Sequence, residues 1–111
     1  MTQMIFKTKD KSVNIQTLEE PLVHMLSPIA EECRKWNGNE YVMTITSGND
    51  GKHIKNSLHY KNKAIDIRSK DMRMKEYTVY KLKKMLGNSY DILLESHNQP
   101  NEHIHIEYDP K

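Results

Sequence analysis

The sequence predicts an α+β fold in which a small, mainly antiparallel sheet is flanked by helices. Residues 22–36 and 75–86 each repeat apolar side chains at helical spacing. Other stretches, among them "YVMTITS", "KAIDIRS" and "EHIHIEYD", alternate their side chains with the period of a half-buried strand. The order of these helices and strands along the chain argues for a largely antiparallel sheet.

The first 16 residues supply an edge strand. Leu22, Met25, Leu26, Ile29, Cys33 and Trp36 then share one face of a first helix, in which Ser27-Pro28 marks either the true start or a kink. "NGN" at 37–39 stops that helix. In the following strand Tyr41, Met43 and Ile45 face one way and Val42, Thr44 and Thr46 the other. "SGNDGKHIKNS" reads as a polar loop. Beyond His59, Ile65 and Ile67 lie on one side of a strand, and Ala64, Asp66 and Arg68 on the other. Tyr77, Tyr80, Leu82 and Met85 mark the second helix, closed by Gly87 and Asn88. "YDILLES" and "EHIHIEYD" are two more strands, joined by the polar loop "HNQPN". No internal repeat or low-complexity segment interrupts this layout.

Composition narrows the function classes. A chain of 111 residues has the length of a single domain, 1–111, with one modest core and no room for a separate targeting module. Hydrophobic residues make up 36% and charged residues 29%, and no apolar run approaches the roughly 20 residues needed to span a bilayer. The net charge of +2 is too slight for a nucleic-acid footprint. The lysines near His59 read as a solvated face. The N-terminal stretch lacks the apolar run and cleavage site of a secretory signal, so the chain is expected to be cytoplasmic when synthesised. The single cysteine, Cys33, makes no internal disulfide, and its place on the helical stripe makes it a core residue rather than a nucleophile.

The chemistry is concentrated in two places. Of six histidines, four (His53, His59, His103 and His105) fall in "KHIKNSLHYKNKAIDI" and "EHIHIEYD". Period two sends His103 and His105 to one face of their strand while Ile104 and Ile106 take the other. Neutral imidazole is the commonest metal ligand, and imidazoles with a carboxylate make a usual zinc shell that leaves a position for water. His59, Asp66 and one of the C-terminal pair are therefore the candidate donors. Either motif alone carries little information, since surface histidines are tolerated widely. His24 sits among apolar helical neighbours and reads as a partly buried histidine; His97, in a polar loop, reads as exposed.

Together, "SLHYKNKAIDIR" and "ES…HIHIEYD" resemble the zinc peptidase family of D-alanyl-D-alanine carboxypeptidases, D,D-dipeptidases and phage L-alanyl-D-glutamate endolysins. They resemble equally the hedgehog signalling domain, which shares that fold. The resemblance runs from Ile45 to Asp109. It implies a hedgehog/DD-peptidase-like fold and Zn²⁺ held by His59, Asp66 and His105. It further implies that Glu95 is the general base and that His103 stabilises the charge developing on the attacked carbonyl. His53 matches a cleft histidine of the hedgehog branch, and Ser57 opens the first motif as in the family. Arg68, on the face of Asp66, can pair with that aspartate or bind a substrate carboxylate. Two departures matter. Asn62 stands where the peptidase pattern has glycine, a substitution that asparagine's tolerance of positive φ makes mild. The spacing from Glu95 to His103 is longer than in many relatives, which makes Glu102 a rival base; its place on the opposite face of an ideal strand favours Glu95.

The expected function is a zinc-dependent metallopeptidase that cleaves D-Ala-D-Ala or L-Ala-D-Glu bonds in the peptide stem of bacterial peptidoglycan. The resemblance implies release to the cell wall by phage lysis machinery, or carriage in a virion. Two alternatives stay open: a non-catalytic zinc-stabilised binding module of the same fold, and a metal-dependent hydrolase of another amide.

Overall fold

The computed structural model describes residues 5–48 and 63–110. Within them the chain runs β1 (Phe6–Thr8), α1 (Glu20–Asn37), β2 (Met43–Ser47), β3 (Ala64–Arg68), α2 (Lys75–Leu86), β4 (Tyr90–Glu95) and β5 (His103–Tyr108). The five strands form one sheet in the order β1-β2-β3-β5-β4. The edge strand β1 lies parallel to β2, and every other pairing is antiparallel. The α+β fold with a mainly antiparallel sheet is the architecture expected from the alternation of the strands.

Strand periodicity divides the sheet into two unlike faces. Ile65 and Ile67 of β3, Ile92 of β4, and Ile104 and Ile106 of β5 point into the core, all buried. Leu22, Leu26, Ile29 and Cys33 of α1 meet them at spacings of four, three and four residues, with Val79, Leu82 and Leu86 of α2. Burial pushes the Cys33 thiol up to about 12, with the nearby charges of Glu32 and Asp71 adding to it, so this cysteine is an inert core group. Among the described residues the helices pack against the isoleucine face. The opposite face carries the polar side chains of β3, β4 and β5.

Helix α1 starts at Glu20 with a proline in its first turn and continues through Pro28, so Ser27-Pro28 is not its start. It ends at Gly38, whose φ of 112° suits a residue without a side chain and whose N–H donates to the Arg34 carbonyl. Buried Asn37 then ties the two helices together. Its Nδ2 donates to the Cys33 carbonyl at 2.8 Å and to Thr78 Oγ1 at 2.9 Å, while its Oδ1 accepts the Met74 N–H at 2.9 Å.

Two expectations are corrected. Helix α2 buries Thr78, Val79, Leu82 and Leu86, whereas Tyr77, Tyr80 and Met85 are exposed. The tyrosines lie on an outer aromatic surface instead, where Tyr77 meets Trp36 edge to face at 4.8 Å. His24, expected to be partly buried, is exposed on α1 beside exposed Val23. The burial arc of α1 passes through Leu22 and Leu26, and His24 lies about 200° around the helix from Leu22 at 100° per residue. His97 is exposed as expected. Among the described residues no helix is long and apolar enough to cross a membrane.

Candidate metal centre

The strand register lays out the polar face as a grid. Arg68, His103 and Glu95 form one row across β3, β5 and β4; Asp66, His105 and Leu93 form the next; Ala64, Glu107 and Asp91 form the third. Directly paired residues on one face hold their Cβ atoms about 5 Å apart, close enough for polar side chains to meet. Asp66 and His105, 39 residues apart in the chain, are thereby neighbours.

Four donor atoms close into a ring of alternating acid and imidazole. Asp66 Oδ1 stands 2.9 Å from His105 Nδ1, and Glu95 Oε1 stands 3.0 Å from His103 Nε2. The cross distances are 3.8 Å from His103 Nε2 to Asp66 Oδ1 and 3.9 Å from His105 Nδ1 to Glu95 Oε1. Asp66, Glu95 and His103 alone could hold a metal ion, their ligand atoms all lying within 4.8 Å of one another. Two donors of one tetrahedral zinc, with bonds of about 2.1 Å, stand roughly 3.4 Å apart. The ring distances bracket that value, and carboxylate oxygen with imidazole nitrogen is a donor set suited to zinc. The residues present fit the ion.

The far side of each imidazole is also held. His105 Nε2 lies 2.7 Å from Glu107 Oε1, and His103 Nδ1 lies 2.8 Å from the Asn101 carbonyl. A carbonyl only accepts, so His103 donates through Nδ1–H, and its Nε2 faces the Glu95 carboxylate. At His105, burial acts to lower the pKa, but the carboxylates of Asp66 and Glu107 outweigh it and raise the ring to about 9.

Glu102 has a different occupation. It is buried, and its carboxylate accepts the Asn98 N–H at 2.8 Å, Lys75 Nζ at 2.8 Å and Ser69 Oγ at 2.6 Å. Those three donors, the Asn98 N–H foremost, hold its carboxyl down at about 2. It pins the loop between β4 and β5 and also lines the cleft shared by Asp66 and His103, its carboxylate committed to those three donors.

Beside the ring lies an open cleft of about 340 Å³, walled by Asp66 and His103 and lined further by Lys9, Arg68 and Lys70. A larger hollow of about 750 Å³ adjoins β4 and touches the polar face through Asp91, Leu93 and Glu107. The cationic lining places the smaller cleft closer to the chemistry. Of the residues expected at the site, Asp66, His105, His103, Glu95 and Arg68 share the polar face. His53, Ser57, His59 and Asn62 lie outside the described residues. Glu107 was passed over in the sequence, although it continues the period-two run of His103 and His105.

An α+β sheet with helices on one face, and clustered imidazoles and carboxylates on the other, is a zinc-peptidase-like architecture. The model of the Hedgehog amino-terminal signalling domain matches residues 1–106, and the chain belongs to that family. The family shares the DD-peptidase-like fold and binds zinc. A comparison with curated proteins found no match.

Proposed function

We propose that this domain is a zinc-dependent metallopeptidase acting on the peptide stem of bacterial peptidoglycan, at D-Ala-D-Ala or L-Ala-D-Glu bonds. The observation that carries the reading is the Glu95–His103 pair, a carboxylate and an imidazole 3.0 Å apart on the rim of the donor ring. A site serving only to hold a metal for stability has no use for a carboxylate–imidazole pair open to solvent beside the ligands, and Glu95 keeps a side-chain exposure of 45%.

In this reading Asp66 and His105, with His59, hold the ion. Zinc bound there would lower the pKa of a water toward about 7 and would polarise the scissile carbonyl. Glu95 Oε1 accepts the water's proton and returns it to the leaving amine. His103, when it carries a proton on both nitrogens, would donate from Nε2 to the carbonyl oxygen as negative charge gathers on it. Its Nδ1–H bond to Asn101 keeps the ring turned for that contact. Lys9, Arg68 and Lys70 give a substrate carboxylate a place to dock within the adjoining cleft.

The family match supports a second reading, a zinc-stabilised binding module without turnover. Replacing Glu95 by Gln in the zinc-loaded protein separates the two. A peptidase loses hydrolysis of muropeptides while keeping its zinc; a binding module has no hydrolysis to lose and keeps its ligand affinity.

A further inference from the structure

We infer that the outer stripe of α2, with Trp36 beside it, is a docking surface for an anionic lipid bilayer. The surface lies apart from the donor ring and does not rest on the zinc reading.

The burial pattern marks the stripe out. Of the six large hydrophobic side chains exposed among the described residues, four (Met74, Tyr77, Tyr80 and Met85) belong to α2 or its N-cap. With Lys81 and Lys84 they share an arc of about 140° at 100° per residue, separate from the arc of Thr78, Val79, Leu82 and Leu86 that meets the core. Helix α2 therefore carries a second apolar stripe, which the sheet does not bury, and exposed apolar groups gathered into one patch mark an interaction surface. Trp36 extends it onto α1: its ring meets Tyr77 edge to face at 4.8 Å, and Tyr77 stands 5.8 Å from Tyr80.

Charge and side-chain chemistry select the occupant. Lys35 Nζ and Lys81 Nζ each stand 5.3 Å from the Trp36 ring centre, and Lys84 Nζ stands 5.2 Å from that of Tyr80. Cation–π contacts at an exposed site are weak, so these ammonium groups can turn to a phosphate. Helix α2 carries four lysines and one glutamate. Of the neighbouring acids, Glu32 accepts the Trp36 Nε1–H at 2.6 Å and Glu76 lies 3.5 Å from His97 Nε2. A second copy of the chain would set lysines against lysines. A sugar or nucleic-acid partner stacks on the rings but leaves Met74 and Met85 nothing to bury against. A bilayer surface suits every part: the headgroup and acyl boundary takes the methionines and the aromatic bodies, the phenol tips stay among the headgroups, and the lysines snorkel to phosphate. The helices pack on the isoleucine face of the sheet, so a bilayer met by this stripe leaves the donor ring turned toward the aqueous side.

The chain's single tryptophan, Trp36, reports on the stripe directly. The whole chain is mixed with vesicles of phosphatidylglycerol and phosphatidylcholine in equal parts, and binding is read by co-sedimentation and by Trp36 emission. Binding with a blue shift is expected at low salt, with release as salt rises and none on vesicles of phosphatidylcholine alone. Lys81→Gln with Lys84→Gln is expected to weaken binding about 30-fold, at roughly fivefold for each lysine. Tyr80→Ser with Met85→Ser is expected to weaken it about 10-fold while the salt dependence persists. None of these four side chains is buried, so the variants keep the fold. No binding to the anionic vesicles, equal binding to both vesicle types, or binding without a change at Trp36 overturns the inference without recourse to any variant. A Trp36 response to soluble polyglutamate that exceeds the response to vesicles overturns it in favour of an acidic protein. Self-association that Tyr80→Ser abolishes overturns it in favour of a second copy.

Discussion

Glu95 and Glu102 are the same residue type at the two ends of one loop, and their surroundings divide their work. Glu95 faces an imidazole and solvent, which suits a group that must gain and lose a proton. Glu102 faces three donors and holds its charge. Glu95→Gln is therefore expected to lower turnover about 100- to 10,000-fold with zinc retained, as read from hydrolysis rates alongside metal content. His103→Ala is expected to lose about 100- to 1,000-fold in kcat, the usual cost of one donor to a developing oxyanion. Glu102 gives a pH signature instead. Its folded pKa of about 2 lies below the ordinary 4.5, so its contribution to stability is complete above pH 4.5 and is lost as pH falls toward 2. Denaturant titrations over that range are expected to show a flatter acid decline for Glu102→Gln than for wild type. Strand alternation made His103 visible beside His105, and the family resemblance pointed to Glu95. Sequence spacing left Glu102 ambiguous, since the donors that occupy it come from Asn98 in its own loop and from Ser69 and Lys75 on two other segments.

At the scale of elements, the strands were more legible than the helices. Period two assigns a side chain to one face or the other, and the isoleucines of β3 and β5 left no choice about which face was buried. Helix α2 offered two competing stripes, because its tyrosines interleave with lysines while one core position is a threonine. Thr78 is buried because its hydroxyl donates back to the Met74 carbonyl at 2.7 Å and accepts from Asn37, satisfying a polar group that composition alone places outside. The joint made by Asn37 is likewise a tertiary fact, with partners on both helices. Asn37→Ala is expected to destabilise the fold by roughly 1–3 kcal/mol, since it leaves the Met74 N–H without its acceptor and removes the link to Thr78, a loss measurable by urea denaturation.

Over the described residues as a whole, the helices pack on one face of the sheet, which has a consequence for how metal and fold depend on one another. Of the proposed ligands, Asp66 comes from β3 and His105 from β5, paired residues of neighbouring strands, so an ion held by them would crosslink those two strands from outside the core. Zinc at 100 times its dissociation constant is expected to stabilise the folded state by about 2.7 kcal/mol, seen as a rise in Tm that a chelator reverses. The meeting of the two motifs was legible because each was anchored to a strand of defined face; the order of those strands in the sheet, which puts β5 between β3 and β4, was not. The central claim is that this open face is a peptidase site, and digestion of purified muropeptides by the zinc-loaded protein, with products identified by mass spectrometry, tests it most directly. The account predicts scission of one stem-peptide amide that disappears with chelator and falls at least about 100-fold in Glu95→Gln. Intact muropeptides after incubation with protein carrying stoichiometric zinc would contradict it.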